Sequence, residues 1–390
     1  MEDISNELKE IKKSGLYREL NIVEGAQGPH IKIKGRKYIS FCSNNYLGLA
    51  NHPEIAKAVE DAVKKYGWGA GASRLISGNM KLHETLEDEI SKFKRKESTI
   101  VFPTGYMANI GTICSLVSSG DLVVCDRLNH ASIIDGCRLS GADFRVYPHR
   151  DTTKLENILK KSSKYPRKLI VTDTVFSMDG DLAPLPDIVR IARKYKTMVM
   201  VDEAHGTGVF GENGRGVIEH FNLNEKVNIV MGTLSKAIGS LGGFVSGDKN
   251  LINYLRNKAR TFMYTTALPP AVCAASIAGI RLIQKDHSLR ESLWHNVSYL
   301  KERLKLLNLN VISSESPIIP VMIGDVKKAV DVSRFLFESG ILIPAIRPPT
   351  VPDKSSRLRI TVMSTHTRAD LDKLLDVLQS GQICIEKSWQ

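Results

Sequence analysis

Long apolar runs are missing from this 390-residue chain. A membrane-spanning helix needs about 20 consecutive apolar residues, and charged, polar, glycine or proline residues interrupt every apolar stretch sooner. The first residues, MEDISNELKEIKKSGLYREL, are charged and helical in pattern. They lack the apolar centre of a secretory signal, so a cytoplasmic location is expected. Cysteine is also sparse: Cys42, Cys114, Cys125, Cys137, Cys273 and Cys384 are scattered, and none forms a C-x-x-C pair. A chain this long builds a core without staples, so reduced, mostly buried thiols are expected. Zinc-type ligand spacing is absent, because DEAHG at 202–206 is not H-E-x-x-H, and no metal is expected. Two nucleotide signatures are missing as well. GTLSKAIG lacks the terminal G-K-[ST] of a phosphate loop, and GWGAGASRLISG does not fit G-x-G-x-x-G after a strand, which disfavours a nicotinamide dehydrogenase. No repeat and no low-complexity segment occurs.

What is present is an ordinary globular composition, 42% hydrophobic and 25% charged. The net charge of +12 raises the question of a polyanionic partner. The positive charges are spread along the chain, however. Groups such as KFKRK at 92–96 fall on amphipathic helical segments and read as a solvated face. Neither nucleic acid nor membrane is expected as a partner, and an acidic or phosphorylated small substrate is compatible.

The pattern predicts an N-terminal helix over about 3–20 and a hairpin around Gly35. HPEIAKAVEDAVKKYG reads as a helix opened by Pro53 and closed by Gly67, and MKLHETLEDEISKFKRK as another. Short strands follow: STIVFP, DLVVCD, DFRVYP, KLIVTD, TMVMVD, VNIVMG and GGFVSG. Most are β-branched and apolar on both faces, as parallel strands between helix layers are. This alternation predicts an α/β fold: a large domain with a mostly parallel seven-stranded sheet between helices, plus a smaller α+β C-terminal domain. The expected division is 1–45, 46–285 and 286–390.

Several strands deliver polar residues to their C-terminal ends, where ligands bind in open α/β sheets. TMVMVD brings Asp202, with His205 one turn later. LIVTDTVFSMDG brings Asp173 and Ser177, NIVMGTLSK brings Thr233 and Lys236, and VVCDRLNHAS brings His130. FPTGYMAN leads Gly105, Tyr106 and Met107 into a helix. Singly, each has a plain explanation: Asp202 as a cap, His205 as a structural histidine, Ser177 and Thr233 as turn residues, Lys236 as a surface lysine. Together they suit pyridoxal phosphate. A lysine holds the aldehyde, a carboxylate keeps the pyridinium charged, and a helix N-terminus takes the phosphate. His130 is a flat neighbour for the ring and a proton carrier.

The set FCSNNYLGLANHP, GAGASRLISGN, FPTGYMAN, DRLNHASIIDGCRLS, VTDTVFSMDGD, VDEAHGTGVFGENGRG, GTLSKAIGSLGGF and YTTALPP resembles the α-oxoamine synthase family of fold-type I pyridoxal-phosphate enzymes. The resemblance covers nearly the whole chain. Members condense a small amino acid with an acyl thioester and release carbon dioxide. It implies that Lys236 holds pyridoxal 5'-phosphate covalently, Asp202 pairs with its ring nitrogen and His205 with its hydroxyl. It implies Ser177 beside the ring, His130 stacked on it, and Gly105, Tyr106, Met107 and Thr233 around the phosphate. A homodimer with the site at its interface follows, with Thr265 or Thr266 of the second copy reaching the phosphate. Asn45 and Ser73 would face the reacting carbonyl.

The segment AIRPPTVPDKSSRLRIT, from Ala345 to Thr361, resembles the branch that joins L-alanine to a pimeloyl thioester, on CoA or a carrier protein. That resemblance implies that Arg18 and Thr350 lie on the acyl side, and that Arg347 or Arg359 grips the amino acid carboxylate through a bidentate fork. Either arginine also reads as half of a structural ion pair. A glycine acetyltransferase shares the cofactor residues and stays open as an alternative, as does a non-catalytic member that serves as a partner or regulator.

Overall fold

The computed structural model describes residues 2–307 and 309–387; the side chain of Cys384 lies outside the described set. Two compact units emerge. One holds Leu49–Ser177 and Leu182–Arg290, the other Met1–Gly48, Met178–Asp181 and Glu291–Gln390.

The larger unit is built on seven strands: β1 Ser98–Phe102, β2 Leu122–Asp126, β3 Asp143–Tyr147, β4 Lys168–Asp173, β5 Met198–Asp202, β6 Ile229–Thr233 and β7 Gly243–Gly247. Their spatial order is β1-β7-β6-β5-β4-β2-β3. Strands β6, β5, β4, β2 and β3 run parallel, while β7 is antiparallel to both β6 and β1. The α/β fold with a mostly parallel sheet therefore stands as expected. Strands β2, β6 and β7 are buried at every residue, the signature of a sheet covered on both faces. Ile100, Phe102, Val123, Leu169, Val171, Met200, Met231 and Val245 belong to one apolar cluster with the helices that cover them. Each such side chain contributes about 1.5–3 kcal/mol by burial.

Because β4, β5 and β6 are parallel, their C-terminal residues share one edge. Asp173 pairs with Asp202, and Asp202 with Met231, in register. The connection from β6 to β7 is short and self-closed: Leu234 N–H donates to Gly242 O at 2.9 Å and Ser240 N–H to Leu234 O at 2.9 Å. Gly239 within it has φ +75°, and a Cβ there would lie 2.5 Å from Ala50 N, so glycine serves both conformation and packing.

The smaller unit carries a hairpin, His30–Ile33 with Arg36–Ser40, turning at Lys34 and Gly35, both at positive φ, as a type I′ turn requires. Arg36–Ser40 also pairs in parallel with Ile341–Leu342, which ties the N-terminal segment to the C-terminal region as one unit. A second sheet joins Ile318–Gly324, Ser356–Thr361 and Ala345–Ile346. The N-terminal helix is Glu2–Lys13, shorter than the 3–20 expected. Gly15 at φ +69° stops it, with Leu16 N–H on Ile11 O and Gly15 N–H on Lys12 O, a Schellman closure.

One sequence expectation is corrected. KFKRK is not wholly a solvated face, because Lys94 is only 4% exposed and Phe93 1%. Lys94 Nζ donates to Thr207 Oγ1 at 2.7 Å and to Arg215 O at 2.5 Å. Burial pulls its pKa down to about 8, while Glu203 and then Glu219 oppose that shift. Glu203 is itself fully buried. Its carboxylate accepts from Val217 N at 3.0 Å, Ile218 N at 2.8 Å and Thr174 Oγ1 at 3.3 Å. A Cβ at Gly206 or Gly216 would strike it at 1.9 or 2.4 Å, so the glycines of EAHGTGVFGENGRG make room for this carboxylate.

Removing one partner of a buried charge system strands the other, at about 3–5 kcal/mol. Lys94→Met should therefore destabilise the protein by that order in urea unfolding. The double variant Lys94→Met with Glu203→Gln should be more stable than Lys94→Met alone. A single variant within about 0.5 kcal/mol of the parent would show that the two charges are not coupled.

Candidate active site

The shared edge of β4, β5 and β6 opens into a cleft continuous with solvent. Its wall includes Gly105, Tyr106 and Asn109 from the helix Gly105–Leu116, then His130, Ser132, Asp173, Asp202, His205, Thr233 and Lys236.

Lys236 enters from the β6–β7 connection, half-buried, with its Nζ 2.9 Å from His205 Nε2. His205 is 5% exposed and lies on the turn after β5. Asp202, the last residue of β5, is 3% exposed. Its Oδ1 accepts from Ala204 N and its Oδ2 from Asn109 Nδ2, both at 2.8 Å. These bonds offset the cost of withdrawing a carboxylate from water.

His130 caps the helix Ala131–Leu139. Its N–H donates to Asp173 Oδ2 at 2.8 Å, and its Nδ1 lies 2.7 Å from Ser132 Oγ. The Tyr106 ring meets it edge-on, centroids 6.3 Å apart. Desolvation by the cleft walls lowers the imidazole pKa; Lys236 adds to this and Asp202 opposes it. Burial, followed by the Asp202 charge, pushes the Asp173 carboxyl well above its ordinary range.

The anion-binding end is the start of the helix Gly105–Leu116. Thr104 Oγ1 accepts from Met107 N at 3.1 Å. The Met107 donor is therefore engaged by the cap, and Met107 does not line the cleft. Gly105 and Tyr106, as the first two helical residues, have no intrahelical acceptor. Gly243 lets this turn rest on β7: a Cβ there would lie 2.6 Å from Gly105 Cα. Thr233 Oγ1 bonds Gly242 O at 2.8 Å and Ser235 Oγ at 2.7 Å.

The other sequence candidates fall elsewhere. Ser177 is half-buried and does not line this cleft. Thr265 and Thr266 line a separate small cavity with Arg74 and His83. Ser73 is half-buried, and its carbonyl accepts from Ile76 N and Gly78 N. In the smaller unit, Arg18, Arg347 and Thr350 come together. Arg347 donates to Gly15 O and, at 2.6 Å, to Tyr17 O; Arg18 donates to Pro348 O at 3.3 Å; Thr350 N–H donates to Arg347 O at 3.1 Å. Burial, then the Arg18 charge, lowers the Arg347 pKa. Arg359 is 7% exposed and donates to two neutral groups, Thr361 Oγ1 at 3.0 Å and Asn44 Oδ1 at 3.2 Å. Asn45 is buried in the same unit. Asn109 and Ser132 escaped the sequence reading, although Asn109 stands one helical turn beyond Gly105 in the quoted TGYMAN.

The donor set matches a flat, anionic, aldehyde-bearing cofactor. An amine, a buried carboxylate, two histidines and a helix N-terminus surround one cleft. Among the described residues no group of three or more His, Cys, Asp or Glu side chains is placed to hold a metal ion, and no helix is long and apolar enough to cross a membrane.

Comparison with known proteins agrees with the geometry. Residues 36–378 match the family aminotransferase class I and II. The chain is 49% identical to the 8-amino-7-oxononanoate synthase of Thermoanaerobacter pseudethanolicus over 96% of this chain and 95% of that one. Among solved structures it resembles a serine palmitoyltransferase from S. paucimobilis with a bound PLP–myriocin aldimine, at TM-score 0.94, 33% identity and 98% coverage of both chains. It also resembles an 8-amino-7-oxononanoate synthase from Francisella tularensis, at TM-score 0.78, 30% identity and coverage of 90% and 99%. This chain therefore belongs to the class I and II aminotransferase family of fold-type I enzymes, within its 8-amino-7-oxononanoate synthase branch.

Proposed function

We propose that the protein is a pyridoxal-phosphate-dependent acyltransferase that condenses L-alanine with a pimeloyl thioester, on CoA or a carrier protein. The products are 8-amino-7-oxononanoate, the freed thiol and carbon dioxide, an early step of biotin synthesis. The observation that carries this reading is the meeting of Lys236, His205 and Asp202 in one cleft, in a chain 49% identical to a curated synthase.

When bound, pyridoxal phosphate supplies an aldehyde that takes the amino acid nitrogen and a protonated ring that draws electrons from the α-carbon. The chain's own groups do the rest. The Lys236 amine anchors the aldehyde when no substrate is present. It then takes the alanine α-proton and later returns one. Asp202 keeps a proton on the ring nitrogen, and His205 bonds the ring hydroxyl. His130 covers the ring face and donates a proton as carbon dioxide leaves. The N–H groups of Gly105 and Tyr106, aligned with the helix dipole, hold the phosphate with Thr233. Met107 adds its donor only by giving up Thr104. Asn45 and Ser73 serve the reacting carbonyl. Arg359 offers a guanidinium to the alanine carboxylate, and Arg18, Arg347 and Thr350 serve the acyl substrate.

A second copy of the chain completes the assembly. Trp68, Leu75, Ile76 and Tyr264 of the larger unit are 68%, 51%, 81% and 70% exposed, an apolar content suited to an interface. They flank Ser73 and Thr265 in sequence, and Thr265 serves the partner's phosphate.

Two measurements test this. Lys236→Ala should lower kcat by at least about 1,000-fold, because one amine is both anchor and base; near-normal turnover would refute the mechanism. Alanine with pimeloyl-CoA should exceed glycine with acetyl-CoA by at least about tenfold in kcat/KM. The reverse preference would make the protein a glycine C-acetyltransferase on the same scaffold.

A further inference from the structure

Asn109 is 1% exposed and Ser132 fully buried. The Asn109 carboxamide nitrogen donates to Asp202 Oδ2 and to Ser132 Oγ, both at 2.8 Å. Only an NH2 group donates twice, so the amide orientation is set by the carboxylate it faces. Its own Oδ1 is buried with no hydrogen-bond partner. An unsatisfied buried acceptor costs about 1–3 kcal/mol. Flipping the amide would set Oδ1 against the Asp202 carboxylate, so the orphan oxygen is the lesser cost.

The chain of bonds continues. Ser132 Oγ accepts from Asn109, and its single hydrogen is left for His130 Nδ1 at 2.7 Å. The Ser132 backbone N–H also points at Nδ1, at 3.3 Å. Two donors converge on one ring nitrogen, which must offer a lone pair. In a neutral imidazole the proton then sits on Nε2.

We propose that Asn109 and Ser132 are positioning residues that fix His130 as its Nε2–H tautomer and link it to the Asp202 carboxylate. Protonation at Nδ1 would require Ser132 to reverse its hydroxyl and lose the backbone contact. The other groups facing the ring are Asp135 on its own helix, Asp202 from β5, Lys236 from the β6–β7 connection and Tyr106 edge-on, while Asp173 from β4 takes its backbone N–H. Asp202 and Asp135 favour the imidazolium; burial, Lys236 and the Ser132 donors oppose it. The catalytic meaning rests on the proton-donor role assigned to His130 above; the tautomer itself does not.

The test is long-range proton–nitrogen NMR on 15N-histidine-labelled holoenzyme, with His130→Gln to assign the signal. The parent should show Nδ1 unprotonated and Nε2 protonated well below pH 7. In Ser132→Ala the tautomer preference should weaken, and the His130 titration should move up by the loss of one donor to Nδ1, while burial still holds it below the ordinary value. The acid limb of kcat should move with it. Ser132→Thr, which keeps the hydroxyl, should restore both. A parent with Nδ1–H, or a Ser132→Ala protein with unchanged tautomer and titration, would overturn the inference. The expected tautomer together with near-normal turnover of His130→Gln would leave the inference standing and instead remove His130 from the mechanism.

Discussion

A carboxylate and an amine meet at the ends of neighbouring strands, and most of the larger unit is arranged around that meeting. Helices cover both faces of the sheet, so β5 and β6 carry apolar side chains along their length and polar ones only at their C-terminal edge. Parallel pairing brings those ends together, with Asp173 beside Asp202 and Lys236 just beyond β6. Burial, and then the neighbouring Asp202 charge, raises the Asp173 pKa well above its ordinary range.

The turn after β5 is gripped from both sides. Asp202 belongs to the cleft, bonded by Asn109 and Ala204. Its neighbour Glu203 is held by Thr174, Val217 and Ile218, with the Lys94 charge close by. Asp202 lines the cleft, whereas Glu203, one residue past β5, does not. One therefore faces the cleft while the other anchors the glycine-rich loop that follows His205. This anchor holds His205 within 2.9 Å of the Lys236 amine.

The sheet and the centre of the site were legible in the chain. Short β-branched runs bounded by turn residues marked all seven strands, and Pro53 with Gly67 marked a helix that runs Pro53–Tyr66. Lys236, Asp202, His205 and His130 follow strands whose apolar content is plain, so their convergence follows from parallel topology. What stayed hidden depends on distant partners. KFKRK reads as surface because the acceptors of Lys94 are 113 and 121 residues away. Asn109 lies in a helix with nothing local to show that Asp202, 93 residues on, fixes its amide. The Met107 N–H reads as available in the sequence, but it donates to the Thr104 cap at 3.1 Å, which competes with any ligand. Thr265 lies in a different cavity of its own chain.

The most direct examination of the central claim is chemical. Purified protein loaded with pyridoxal phosphate is reduced with borohydride, digested, and the modified peptide sequenced by mass spectrometry. The account predicts a single pyridoxyl group on the ε-nitrogen of Lys236, with loss of the visible absorption band. Attachment to another lysine, or none at all, would contradict it.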